Sequence, residues 1–123
     1  MKNIAVLVSG GGTNLQALID AQNRGEIKNG KISLVVSSNP NAYALERAKN
    51  NSIATEVIRR KDYDEFDEYD SAVTELLKSK DVDLVVHPIL LEPWFIKRTH
   101  SNWQFILPLS VFLHYRQQFS HNL

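Results

Sequence analysis

The stretch N-I-A-V-L-V-S-G-G-G-T-N, Asn3 to Asn14, decides how the rest of the chain is read. Asn3 to Val8 runs apolar without polar alternation, the pattern of a strand covered on both faces and therefore of a parallel sheet. Ser9-Gly10-Gly11-Gly12 stops that strand. Thr13 then stands where a helix cap is expected, and Gln16 three residues later completes a capping box. Leu15, Leu18 and Ile19 share one face of the predicted helix, which Arg24-Gly25 ends.

Outward from this unit the same grammar repeats. Asn29-Gly30 predicts a turn and Lys31 to Ser37 a second strand. Asn39-Pro40-Asn41 opens a helix over Ala42 to Asn50, with either asparagine as cap and Ala44, Leu45 and Ala48 facing inward. Ile53 to Ile58 predicts a third strand, at a sheet edge because Thr55 and Glu56 interrupt it. Arg59-Arg60-Lys61 and the acidic run Asp62 to Asp70 read as solvated surface. Tyr69, Ala72, Val73, Leu76 and Leu77 keep helical spacing, which predicts a helix from about Phe66 to Ser79, and Val82 to Val86 predicts a fourth strand. Strands alternating with helices give an α/β fold: an open parallel sheet with helices on both faces, Rossmann-like.

Composition narrows the function classes. The chain has 123 residues, 14 basic against 14 acidic, and no cysteine, which bounds it to one domain without disulfides or a cysteine metal site. Neutral charge gives no nucleic-acid footprint, and no run approaches the roughly 20 apolar residues that span a bilayer. With no signal peptide, the expectation is a cytoplasmic protein that binds neither nucleic acid nor membrane and needs no metal. The distribution is uneven, however. From Pro93 onward the chain carries Lys97, Arg98 and Arg116 and no acid, together with seven of its eleven aromatic residues. All four histidines, His87, His100, His114 and His121, also lie in the last 37 residues, at no metal-ligand spacing. The expected division is residues 1–98 as an α/β half-domain and 99–123 as an aromatic-rich tail, a candidate surface for self-association.

The glycine loop carries the chemistry. It sits between the carboxyl end of the first strand and the first helix, where a parallel sheet puts its ligands. Backbone N–H groups there converge on an anion, and the helix start adds the positive end of its dipole. Two familiar uses fail on their discriminating residue. A dinucleotide fingerprint wants a third glycine where Leu15 stands and an acid closing the second strand, which instead ends Ser37-Ser38-Asn39. A nucleotide-hydrolase loop needs a lysine, and none follows until Lys28. Two readings stay open: a site for the terminal phosphate of a small molecule, or a tight turn in which glycine is needed only sterically.

M-K-N-I-A-V-L-V-S-G-G-G-T-N-L-Q-A-L-I-D-A at Met1 to Ala21, V-S-S-N-P-N-A-Y-A-L-E-R-A-K at Val36 to Lys49 and D-E-Y-D at Asp67 to Asp70 resemble the phosphoribosylglycinamide formyltransferases, over residues 1–86. The resemblance implies a purine-synthesis enzyme that transfers a formyl group from 10-formyltetrahydrofolate to the amine of glycinamide ribonucleotide. It implies further that Gly12, Thr13 and Asn14, with Gly11 beside them, hold the phosphate of this small-molecule ribonucleotide.

After residue 87 the resemblance degrades. The family places an Asn-x-His-Pro strand after a folate-binding segment. If Pro108 matches the family proline, Phe105 and Leu107 stand at the asparagine and histidine positions, and neither side chain polarises a formyl group or moves a proton. The chain stops at Leu123, before the family's catalytic aspartate. The expectation is therefore substrate phosphate binding without a catalytic residue or a folate pocket of its own. His87 and Glu92 read as loop or surface groups, and Phe66 replaces an arginine that some relatives carry near the ribonucleotide. The abrupt change near His87 suggests a truncated or frame-shifted coding sequence. A noncatalytic binding or assembly module is the alternative.

Overall fold

The computed structural model describes residues 1–8, 10–88, 96–99 and 102–108. Six strands form one sheet: β1 (Lys2–Val8), β2 (Gly30–Ser37), β3 (Ala54–Val57), β4 (Leu84–Pro88), β5 (Ile96–Thr99) and β6 (Asn102–Pro108), in the order β3-β2-β1-β4-β6-β5. Three helices connect the first four strands: α1 (Thr13–Asn23), α2 (Tyr43–Asn50) and α3 (Phe66–Ser79), with a 3-10 turn at Arg60–Asp62. β3, β2, β1 and β4 are mutually parallel, as the alternation of strands and helices requires. β6 runs antiparallel to β4 and β5 antiparallel to β6.

Successive residues of a strand point to opposite faces, and β1 shows the consequence directly. Ile4 and Val6 pack on one side with Leu15, Leu18 and Ile19 of α1 and with Ala44, Leu45 and Ala48 of α2. Ala5 packs on the other with Val73 and Leu77 of α3 and with Val82 and Val85. Both faces are therefore buried, which is why the run from Ile4 to Val8 shows no polar alternation.

β2 departs from strict alternation. Ile4 pairs with Ile32 but Ala5 with Leu34, so Ser33 is an extra residue in the ladder. The inserted residue puts Ile32 and Val35 on the α1/α2 face while Leu34 and Val36 turn to α3. The pattern I-S-L-V-V is what such a bulge requires.

Three local readings are corrected. The residue capping α1 is Gly12, not Thr13; it lies in the left-handed region at φ 80°, and no side-chain cap bond forms. Gln16 does not reach back to complete a capping box: its Nε2 donates to Asp20 Oδ1 at 2.9 Å. For α2 neither asparagine caps the helix. Ala42 does, while Asn39 Oδ1 accepts from the Asn41 N–H at 3.0 Å, tightening the turn ahead of the helix. The fourth strand begins at Leu84 rather than Val82, because the Val82 N–H is taken by Leu77 O at the end of α3. Val82 is buried without belonging to the ladder.

Candidate functional site: the glycine loop

β1 ends at Val8, and Ser37 pairs with Val8 at the same crest of the sheet. The loop from Gly10 to Gly12 leaves this crest and is gripped by α2. Ala44 N–H donates to Gly10 O at 3.2 Å, and Arg47 Nε donates to Gly11 O at 2.8 Å. Gly12 O accepts from Gln16 N–H at 2.8 Å, the first bond of α1.

These three carbonyls fix where the amides point. A trans peptide unit is planar, with its C=O and N–H directed oppositely, and none of the described peptide bonds is cis. Because Gly10 O and Gly11 O face α2, the N–H groups of Gly11 and Gly12 are directed away from it. Because Gly12 O points along α1, the Thr13 N–H points out of that helix's amino end, with the Asn14 N–H in the same unpaired first turn. Among the described residues no protein acceptor is bonded to the Gly11 or Gly12 N–H. The four residues named from the sequence, Gly11, Gly12, Thr13 and Asn14, are thus brought together, with backbone donors on one side and α2 on the other. The Ser9 position and the Thr13 side chain lie outside the described residues.

The three glycines have different reasons to be glycine. A Cβ at Gly12 would lie 2.6 Å from Ala44 Cβ and 2.8 Å from Ala44 Cα, and the residue has positive φ. Steric need is real at this position. A Cβ at Gly10 or Gly11 would meet nothing within 4 Å, so neither is required by packing. The steric reading of the glycines therefore holds at Gly12 and does not extend to Gly10 or Gly11.

Asn14 adds a polar group that the fold leaves unused. Its Oδ1 is buried and has no hydrogen-bond partner. An orphaned amide oxygen costs about 1 to 3 kcal/mol, which a bound donor would recover. Arg47, which no sequence pattern marks, joins both sides of the loop: besides Gly11 O, its Nη1 donates to Gln16 Oε1 at 3.2 Å, and its guanidinium lies 4.9 Å over the Tyr43 ring. Its partners are 36 and 31 residues away, so no local pattern announces them.

Further along the sheet, β6 sets Phe105 opposite His87 and Leu107 opposite Val85. The side chains of His87, Phe105, Leu107 and Phe66 lie outside the described residues, as do His100, His114, His121, Glu92 and the tail beyond Pro108. Among the described residues no helix is long and apolar enough to cross a membrane.

An open α/β sheet, parallel over β3-β2-β1-β4, with helices on both faces and a glycine loop between β1 and α1, defines the Rossmann-like class of fold. Within that class the chain belongs to the formyl transferase family, which it matches over residues 2–96. Its first 86 residues strongly resemble phosphoribosylglycinamide formyltransferases. It is 45% identical over 101 residues to the phosphoribosylglycinamide formyltransferase of Haemophilus influenzae, covering 80% of this chain and 47% of that protein. Against the Escherichia coli protein of the same name it is 39% identical over 84 residues, 68% of this chain and 39% of that one. The chain thus spans about half, or less, of the curated relatives it matches. Glycinamide ribonucleotide transformylase 1 from Geobacillus kaustophilus superposes with a TM-score of 0.66 at 23% identity, over 100% of this chain and 94% of that one, a likeness of fold.

Proposed function

We propose that this chain is the ribonucleotide-binding portion of a phosphoribosylglycinamide formyltransferase and that it holds the phosphate of glycinamide ribonucleotide at Gly11, Gly12, Thr13 and Asn14. The observation that carries the reading is the orientation of the loop peptides. With Gly10 O and Gly11 O bonded to α2, the Gly11 and Gly12 amides face outward beside the amino end of α1. Hydrogen bonds to a charged acceptor contribute about 1.5 to 3 kcal/mol each, so three or four hold a phosphate without a lysine. The amino end of α1 beside these amides supports a phosphate there.

The complete reaction would move the formyl group of 10-formyltetrahydrofolate to the glycinamide amine, a step of de novo purine synthesis. For that step this chain supplies binding and orientation only. If Pro108 stands for the family proline, the asparagine and histidine positions hold Phe105 and Leu107, which neither donate to a developing oxyanion nor accept a proton. Losing one oxyanion donor alone costs about 3 to 4 kcal/mol of transition-state stabilisation, two to three orders of magnitude in rate. In this reading the half-domain of residues 1–98 is joined by β6, which pairs with β4 in the same sheet, and the folate donor is not held by residues 1–98 alone.

Calorimetric titration with glycinamide ribonucleotide, beside the same compound lacking its phosphate, tests the assignment. The phosphorylated ligand binds and the phosphate-free one binds at least tenfold more weakly, with formyl transfer undetectable. Equal affinity for both refutes the loop assignment, and measurable turnover refutes the catalytic half of it.

A further inference from the structure

Arg47 reaches the loop from α2, and two of its nitrogens are taken up by the protein's own acceptors. Its Nε donates to Gly11 O and its Nη1 to Gln16 Oε1, and the guanidinium stacks over Tyr43. Its aliphatic stem lies along Gly12, where the Arg47 Cδ is 3.3 Å from the position a Cβ would take. One side chain therefore fixes the carbonyl of Gly11, the face of Gly12 and the first turn of α1 through Gln16.

The carbonyl it binds belongs to the peptide unit whose other end is the Gly12 N–H. Two consequences follow. Rotation of the 11–12 peptide, the soft motion of a glycine pair, breaks a charge-assisted bond, so the Gly12 N–H is held in one direction. A cation on the carbonyl oxygen also draws electron density from the nitrogen, which makes the Gly12 N–H a stronger donor than an ordinary amide. The positive charge is transmitted through the peptide rather than by direct contact.

From this geometry we infer that Arg47 is the positioning residue of the anion site, orienting and polarising the Gly12 N–H toward a phosphate monoester without touching it. The inference deepens the functional reading above and rests on it for the nature of the ligand. It explains why a site without lysine takes a doubly charged group: the loop borrows the charge of a residue on α2. The Tyr43 ring, itself 58% exposed, covers one face of the guanidinium and limits its rotation away from the loop.

Arg47→Met keeps an unbranched stem against Gly12 and removes the donors; Arg47→Lys restores one donor and the charge. Three readouts are taken on the full chain: the Gly12 amide proton shift, the Kd for glycinamide ribonucleotide against its phosphate-free form, and the Tm. Arg47→Met moves the Gly12 amide resonance upfield and weakens the phosphorylated ligand about tenfold, the loss expected for one charge-assisted bond. It leaves the phosphate-free ligand unchanged, and Arg47→Lys recovers part of both effects. A lowered Tm with an unmoved Gly12 resonance overturns the inference without reference to any ligand. So does wild-type preference for the phosphate that survives intact in Arg47→Met. Absence of that preference in the wild type refutes the functional reading instead, and the amide shift still decides whether Arg47 sets the loop.

Discussion

Replacing Gly12 by alanine tests how tightly the loop is built into the fold. The new Cβ falls 2.6 Å from Ala44 Cβ and 2.8 Å from Ala44 Cα. Ordinary contact begins near 3.4 Å, so α2 has to withdraw by about 0.8 Å, and what blocks it is backbone rather than a flexible tip. Withdrawal pulls on the Ala44 N–H to Gly10 O bond and on the Arg47 bond to Gly11 O. Overpacking of this kind costs about 1 to 3 kcal/mol, and the left-handed conformation at φ 80° costs an L-residue about 1 to 2 more. The expected loss is about 2 to 5 kcal/mol, a large share of the roughly 5 to 15 kcal/mol typical of a domain. Urea unfolding followed by far-ultraviolet circular dichroism measures it, with Gly10→Ala and Gly11→Ala as controls. Those positions meet nothing within 4 Å and have no positive φ, so both stay within about 0.5 kcal/mol of the wild type. Gly12→Ala as stable as its two neighbours would mean that α2 does not press on the loop, and the argument from close packing fails.

Other outcomes follow from the same structure. Leu15→Ala and Leu77→Ala, each fully buried and on opposite faces of the sheet, each cost about 2 to 5 kcal/mol in the same unfolding assay. Gly25→Ala, at φ 77° after the end of α1 with open space around it, costs only the conformational part, about 1 to 2 kcal/mol. Removing Glu26 from its bidentate pair with Arg24 leaves the urea midpoint nearly unchanged, and the small difference shrinks further in high salt, because both side chains are about half exposed. Asn14→Ala weakens glycinamide ribonucleotide binding through loss of the side-chain N–H donors without lowering the unfolding midpoint, since the buried Oδ1 it also removes has no partner in the fold.

How far the sequence carried the reading depends on the range of the interactions involved. α3 runs from Phe66 to Ser79 as predicted, because Tyr69, Val73, Leu76 and Leu77 repeat at helical spacing and nothing distant overrides them. The edge position of β3 followed from Thr55 and Glu56, and both remain partly exposed. Caps were less legible. Thr13 is a good capping residue by type, but Gly12 alone takes the left-handed conformation that brings the loop under α2, so the cap moved one residue back. The bulge at Ser33 leaves no mark except a broken alternation that a doubly buried strand already lacks. At the site, the donors were legible from three glycines and a helix start. The clamp was not, because Arg47 lies on an amphipathic helix where an arginine at its position reads as surface.

A residue-resolved titration tests the outward amides of the loop most directly. Proton–nitrogen correlation spectra of the chain are recorded as glycinamide ribonucleotide is added. The Gly11, Gly12, Thr13 and Asn14 amide protons shift downfield together and saturate with one Kd, while amides at the opposite end of the sheet, such as Lys31 and Asp83, stay in place. Saturable binding that leaves those four resonances unmoved contradicts the account.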